Sequence, residues 1–169
     1  DMDNIIKSIE NDLKSGAKEI WLTSQDNASY GMDKEDKKKK LPELLQKILA
    51  LNHNFKIRLG MMDPNNVIPI LDELIEIYKN KKMYKFLHIP IQSASNKVLK
   101  DMNRVYEIKN VENIIEKFRK EIPNITISTD IIVGYPTETK EDHEKNLAFI
   151  KKYKPPVFNL SKMSIHKGT

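Results

Sequence analysis

The stretch ITISTDIIV, residues 125–133, alternates apolar and polar side chains, and its reading decides the fold. Successive side chains on a strand point to opposite faces. Ile125, Ile127, Thr129, Ile131 and Val133 therefore share one side, and Thr126, Ser128, Asp130 and Ile132 the other. The same division recurs upstream. Leu87, Ile89 and Ile91 oppose Phe86, His88, Pro90 and Gln92; Ile57 and Leu59 oppose Arg58; Ile20 and Leu22 oppose Trp21, Thr23 and Gln25. Asn159 and Ser161 carry the polar row into a last strand.

Strand character is expected at 19–24, 55–60, 85–91, 126–133 and 156–164, with helical periodicity between. Ile5, Ile9 and Leu13 recur every four residues, with Gly16 as a C-terminal cap. Leu41, Leu44, Leu45, Ile48 and Leu49 form a second stripe, with Pro42 in its first turn. Val67, Ile68, Leu71, Leu74, Ile75 and Tyr78 predict one helix after the break at Asp63 and Pro64. Val111, Ile114, Ile115 and Phe118 predict another, stopped by Pro123. Thr139 with Asp142 marks a helix start leading into His143, Leu147 and Ile150.

Strand and helix alternate at roughly 30 residues per unit, which predicts βα units and a parallel sheet. A sheet covered on both faces reads as nearly continuous apolar strands. One apolar and one polar face over five strands predicts instead a β/α barrel, open or closed. Its apolar face meets outer helices and its polar face lines the interior. Barrel sites lie at the C-terminal ends of the strands, and Gln25, Gln92, Asp130 and Gly134 fall at or near those ends. The alternative is that these polar groups only satisfy one another.

At 169 residues the chain is one domain's worth, 1–169, with no linker-like stretch. With 31% charged and 39% hydrophobic residues it is expected to be soluble, globular and cytoplasmic. No apolar run approaches the roughly 18 residues of a membrane span, and residues 1–6 do not read as a signal peptide. Having no cysteine, the chain contains no disulfide, thiolate zinc site or conventional iron–sulfur ligation of its own. Its four histidines, His53, His88, His143 and His166, lack metal-ligand spacing. The net charge of +5 suits a polyanionic partner without requiring one; the run from Lys34 to Lys40 reads either as a solvated loop or as a nucleic-acid contact.

Four stretches resemble the methylthiotransferase family of radical S-adenosylmethionine (SAM) enzymes. They are GAKEIWLTSQD at 16–26 with YGMD at 30–33, FLHIPIQSAS at 86–95 with VLKDMNR at 98–104, STDIIVGYPTET at 128–139, and SIHKGT at 164–169. LTSQ at 22–25, GMMDP at 60–64 and QSAS at 92–95 are similar to the archaeal and eukaryotic branch, which modifies threonylcarbamoyladenosine in tRNA.

The resemblance implies a partial barrel, strands two to six, with the first strand and its three cluster-binding cysteines expected ahead of Asp1. It also implies a second [4Fe–4S] cluster and an RNA-binding domain outside this chain, so these residues alone are expected to be inactive. Thr137 stands where the family usually has Gly, and His143 where it often has Phe. The Cβ of Thr137 is expected to alter the turn at Pro136, and His143 to change local packing.

The resemblance further implies SAM-binding roles. Gln25 is expected at the methionyl amino group, Gln92 and Ser93 at the ribose or carboxylate, and Arg104 or Arg58 at the carboxylate. Gly134 would let the backbone approach the adenine, and Asp130 with Ser128 would fix polar groups at mid-barrel. Plainer roles compete. Arg104 would only close its helix onto a carboxylate, Glu138 and Thr139 would only start a helix, His88 would only be bonded in the barrel, and Met61, Met62 and Met102 would only pack.

Three other functions compete with the threonylcarbamoyladenosine reading. One is a family member acting on isopentenyladenosine tRNA or a ribosomal protein. Another is a metal-independent aldolase or isomerase, needing an inward lysine such as Lys56 or Lys85. The last is a non-catalytic RNA-binding module using Lys37–Lys40. A barrel lacking its first strand is also expected to expose an edge and to self-associate.

Overall fold

The computed structural model describes residues 1–34 and 38–164. The stretch 165–169 that resembles a family segment, His166, and the middle of the Lys34–Lys40 run lie outside the described residues. Five parallel strands follow one another in chain order: β1 (Glu19–Leu22), β2 (Lys56–Leu59), β3 (Phe86–His88), β4 (Thr126–Val133) and β5 (Val157–Lys162). β1 pairs with β2, placing Trp21 opposite Arg58, while β3, β4 and β5 form a second ladder with Asp130 opposite Asn159. An isolated bridge between Ile57 and Met83, and a bond from the Met62 N–H to the His88 carbonyl (3.1 Å), join the two ladders. The result is the wall of a partial β/α barrel.

Between the strands run α1 (Met2–Lys14), α2 (Leu41–Leu49), α3 (Pro64–Val67), α4 (Leu71–Tyr78), α5 (Asn96–Asp101), α6 (Ile108–Glu121) and α7 (Lys140–Tyr153). Their apolar stripes bury the alternating outer face of the sheet. Ile20, Ile57, Leu59, Leu87, Ile127 and Ile131 are all buried, whereas Arg58, Phe86, His88 and Asp130 are only half-buried and Trp21 is exposed. The period-2 pattern thus has its expected cause: one face excludes water against helices and the other does not. At the centre of the helical layer, the rings of Tyr78 and Phe118 meet edge to face with centroids 5.2 Å apart.

Two helices differ from expectation. The single helix from Val67 to Tyr78 is broken into α3, a 3₁₀ turn at Ile68–Ile70, and α4. Pro69 has no N–H to give to a helical ladder. The tighter turn then rotates the stripe, so Ile68 emerges at 41% exposure while Ile70 is buried. On α7 the inward face is Asp142, Asn146, Phe149 and Tyr153, not the expected His143, Leu147 and Ile150, which are half-exposed. Polar side chains occupy this face because backbone and side-chain groups of two loops need them, as the site shows. His143 accordingly packs at the surface, with Nδ1 4.0 Å from Glu138. Thr137 is not among the residues with positive φ, so its Cβ fits the turn, and its hydroxyl bonds Asp101.

Candidate functional site at the strand ends

The polar face is a connected row crossing the wall. On β1 and β2, the Arg58 guanidinium lies between two rings, 4.6 Å from the Trp21 centroid and 4.5 Å from that of Phe86. On β3, β4 and β5, His88 Nε2 meets Asp130 Oδ2 at 2.6 Å, and Asn159 Nδ2 donates to Asp130 Oδ1 at 2.7 Å. Asp130 is therefore held on both oxygens and orients the imidazole. Ser128 lies beside this row but is buried. Lys56 and Lys85 do not point an amine into the cup. Their Nζ atoms donate to the carbonyls of Lys81 and Tyr78, so the Schiff-base alternative has no group to use.

Above this row, the loops at the C-terminal strand ends are braced against one another. Asp26, capping the 3₁₀ turn Asn27–Ser29, accepts from the N–H groups of Ala28 and Asp63 and from Asn66 Nδ2. Gly60 completes this junction. A Cβ there would come within 2.9 Å of the Leu22 carbonyl, to which the Gly60 N–H donates. Arg104 pairs with Asp63 at 3.4 Å, and its own N–H closes α5 on Leu99. Burial pushes the Asp63 carboxyl above its ordinary value, opposed by the Asn65 N–H and by the Arg104 charge. Gln25 stands exposed in the first of these loops. Gln92 continues the β3 ladder in a left-handed conformation (φ 62°), exchanging backbone bonds with Asp130 and Ile132.

Ser93 is not brought to this face. Its hydroxyl is fully buried, donating to Asn146 on α7 (3.4 Å) and accepting from the Ser95 N–H (3.1 Å). Asn146 Oδ1 also accepts from the Ala94 N–H at 2.6 Å, while its Nδ2 donates to Glu138 Oε1 at 3.0 Å. Glu138 Oε2 in turn accepts the Gly134 N–H at 2.5 Å. Asn146 thus ties the loop after β3 to the loop after β4. Glu138 braces that loop and is not merely a helix-starting acid; Thr139 is the cap, in a box with Asp142. At Gly134, φ is +74° and a Cβ would meet open space, so the glycine serves conformation and leaves its surface free for a ligand.

Ser95, Asp142 and Asn146 were not foreseen as site residues. Their signal was present: Asp142 and Asn146 stand at i and i+4, in line with Phe149 and Tyr153. The Ser95 hydroxyl (2.6 Å), the Thr139 N–H and Lys145 hold the Asp142 carboxyl well below the ordinary value of 3.8. A depressed folded-state value means that the stabilisation is complete above about pH 4 and is lost as pH falls towards that value. The urea midpoint should therefore drop between pH 5 and pH 3, and drop less in Asp142→Asn. An equal drop in both would place the acid sensitivity elsewhere.

A cavity of about 750 Å³ opens at the free edge of β1, lined by Ile5, Trp21, Thr23, Asp26 and Tyr30 among others. It does not include Gln92, Asp130 or Gly134. Among the described residues no group of three or more His, Asp or Glu side chains is placed to hold a metal, and no helix is long and apolar enough to cross a membrane.

The pattern of the Radical SAM superfamily matches residues 1–150. A probable threonylcarbamoyladenosine tRNA methylthiotransferase of Archaeoglobus fulgidus is 45% identical over 99% of the chain and 39% of its own length. The threonylcarbamoyladenosine tRNA methylthiotransferase of Mus musculus is 35% identical over 99% of the chain and 29% of its own length. The chain therefore spans about two fifths or less of these relatives. Among solved structures, the cobalamin-dependent SAM radical enzyme OxsB aligns over 99% of this chain and 24% of its own, with a TM-score of 0.70 and 12% identity. Coproporphyrinogen III oxidase from Escherichia coli covers 74% of this chain and 27% of its own, at 0.54 and 20%. At these identities the likeness is one of fold.

Proposed function

The chain belongs to the radical SAM superfamily, and from that premise we propose that residues 1–169 are the second to sixth strands of the SAM-binding barrel of a cytoplasmic tRNA methylthiotransferase. Its substrate would be threonylcarbamoyladenosine in tRNA, modified at C2 of the base. The observation that carries this reading is identity of 35–45% along essentially the whole chain to proteins so named, from archaea and from mouse.

The residues present suit SAM, whose methionyl end carries one cation and one anion beside a sulfonium, an adenine and a ribose. Asp130, Gln92 and exposed Gln25 offer acceptors at one rim, and Gly134 leaves open room for a flat base. Ser128 lies buried beside this row, and Arg104 stands at the same loop junction as Gln25, 3.4 Å from Asp63, whose N–H bonds Asp26. Ser93 serves the same site indirectly, through the loop that carries Gln92. When bound, SAM supplies one-electron chemistry at its sulfonium beside a [4Fe–4S] cluster. With no cysteine among the 169 residues, the thiolates for that cluster and for a second one belong to segments outside this chain. The part played here is to bind and orient, and to keep water from the reacting centre.

The test uses the full-length protein that carries this segment, reconstituted anaerobically with iron and sulfide. It should turn brown and convert threonylcarbamoyladenosine in tRNA to its 2-methylthio derivative, read by nucleoside mass spectrometry. A colourless, iron-free protein, or a brown one giving no methylthio nucleoside, would sink the reading.

A further inference from the structure

Arg58 shares the inner face with Glu19 and Lys56, which lie at the starts of β1 and β2, and it is placed differently from the other cations near the site. Arg104 has Asp63, and Lys97 and Lys145 have Asp142. For Arg58, no carboxylate lies within ion-pair distance and no acceptor within hydrogen-bonding distance among the described residues. The Glu19 oxygens accept from the Tyr84 hydroxyl and from Trp21 Nε1 (3.2 Å), and the Arg58 charge acts on Glu19 only from beyond ion-pair distance. What Arg58 has instead is a wall on each face. Trp21 and Phe86 stack at 4.6 and 4.5 Å, one from the strand before and one from the strand after.

Cation–π contacts use the faces of a guanidinium and leave its edge untouched. That edge carries N–H donors in a rigid fork, whose geometric complement is a planar carboxylate. A lysine between the same rings would present a point charge and no fork. Because Arg58 is half-buried, its unpaired donors are disfavoured. Because the rings already fix its plane, little side-chain freedom remains to be lost on binding.

We propose that Arg58 is the receptor for a carboxylate that a ligand brings into the cup. The identity of that ligand rests on the function proposed above, which supplies two candidates: the methionyl carboxylate of SAM, and the threonyl carboxylate of the modified adenosine. The second would let the barrel recognise a base by a group remote from the atom being modified.

The experiment compares wild type, Arg58→Gln and Arg58→Lys in the reconstituted full-length protein. One arm measures SAM affinity by equilibrium dialysis. The other measures kcat/KM on an anticodon stem–loop carrying threonylcarbamoyladenosine and on the same RNA with that carboxylate as its methyl ester. A charge-assisted bidentate contact is worth roughly tenfold to a hundredfold. If Arg58→Gln weakens SAM by that factor and leaves the acid-to-ester ratio alone, the methionyl carboxylate is the ligand group. If SAM affinity holds and a wild-type preference for the acid collapses to near one, it is the threonyl carboxylate. Both outcomes support the proposal. Unchanged SAM affinity with an unchanged ratio overturns it. Wild type yielding no methylthio product would fail the functional reading instead, and the dialysis arm would still judge Arg58: unchanged SAM affinity would then overturn the proposal. Arg58→Lys keeps the charge without the fork and should lose most of the same factor. Trp21→Leu, which removes one wall and no charge, should lose less, and melting temperature separates either from misfolding.

Discussion

Asn146→Asp in the full-length protein should weaken SAM binding by at least about tenfold, and adding Glu138→Gln should restore most of that loss. Asn146 is 1% exposed and makes two kinds of contact that one amide can make at once. Its oxygen accepts from Ala94 and Ser93 in the loop that carries Gln92; its nitrogen donates to Glu138, which holds Gly134. Aspartate keeps the acceptor and loses the donor. Two carboxylates would then face each other, the Glu138 side chain being only 6% exposed. Leaving such a group without a partner costs about 2–4 kcal/mol, and the simplest relief is for the two loops to part.

Glutamine at 138 reverses the polarity of the contact, donating to the new aspartate while its oxygen still accepts from Gly134. A merely space-filling Asn146 would not respond to Glu138→Gln. SAM affinity measured by equilibrium dialysis decides the matter: if the double variant is no better than Asn146→Asp alone, the coupling between the loops is wrong.

The second large effect is on stability. Phe118→Ala should lower the unfolding free energy by about 3–5 kcal/mol, and Phe118→Leu by about 1 kcal/mol. Phe118 has no exposed surface and lies edge to face against Tyr78, whose hydroxyl reaches the Phe86 carbonyl at 3.2 Å. The alanine would remove the contact joining α6 to α4 behind β3. Since a domain is stable by only about 5–15 kcal/mol, it would leave a marginal fold. Urea midpoints at constant slope measure this, and a loss under about 1 kcal/mol for the alanine would show that the site collapses or was never well packed.

Much of the architecture was legible because its signals are local. Alternation in residues 125–133, and the stripes on α1, α2 and α6, depend only on the direction in which neighbouring side chains point. The chain order of the strands follows from short βα units. Boundaries were less legible: β1 ends at Leu22 and β3 at His88, earlier than the patterns suggested, because the backbone beyond them bends into loops that carry the site.

The candidate residues divide along the same line. Gly134 directly follows β4 and Gln92 bridges Ile131 beyond the end of β3, but Asp130 lies mid-strand, three residues short of the end of β4, where it and His88 are bonded within the barrel. Ser93, expected beside Gln92 at the ligand, turns the other way and buries its hydroxyl against Asn146, as adjacent side chains on an extended chain oppose each other. Arg104 reaches Asp63, forty-one residues distant, which no pattern around either residue foretells.

Sequence alone determined which faces of this protein are greasy and which are polar, since that needs only periodicity and the exclusion of apolar groups from water. Tertiary structure decided what the polar groups do. The rotation of α7 that buries Asn146, the two rings that hold Arg58, and the carboxylate that orients His88 all join residues far apart in the chain. Each depends on which side chains the fold brings together across strands and loops, and no local periodicity records that.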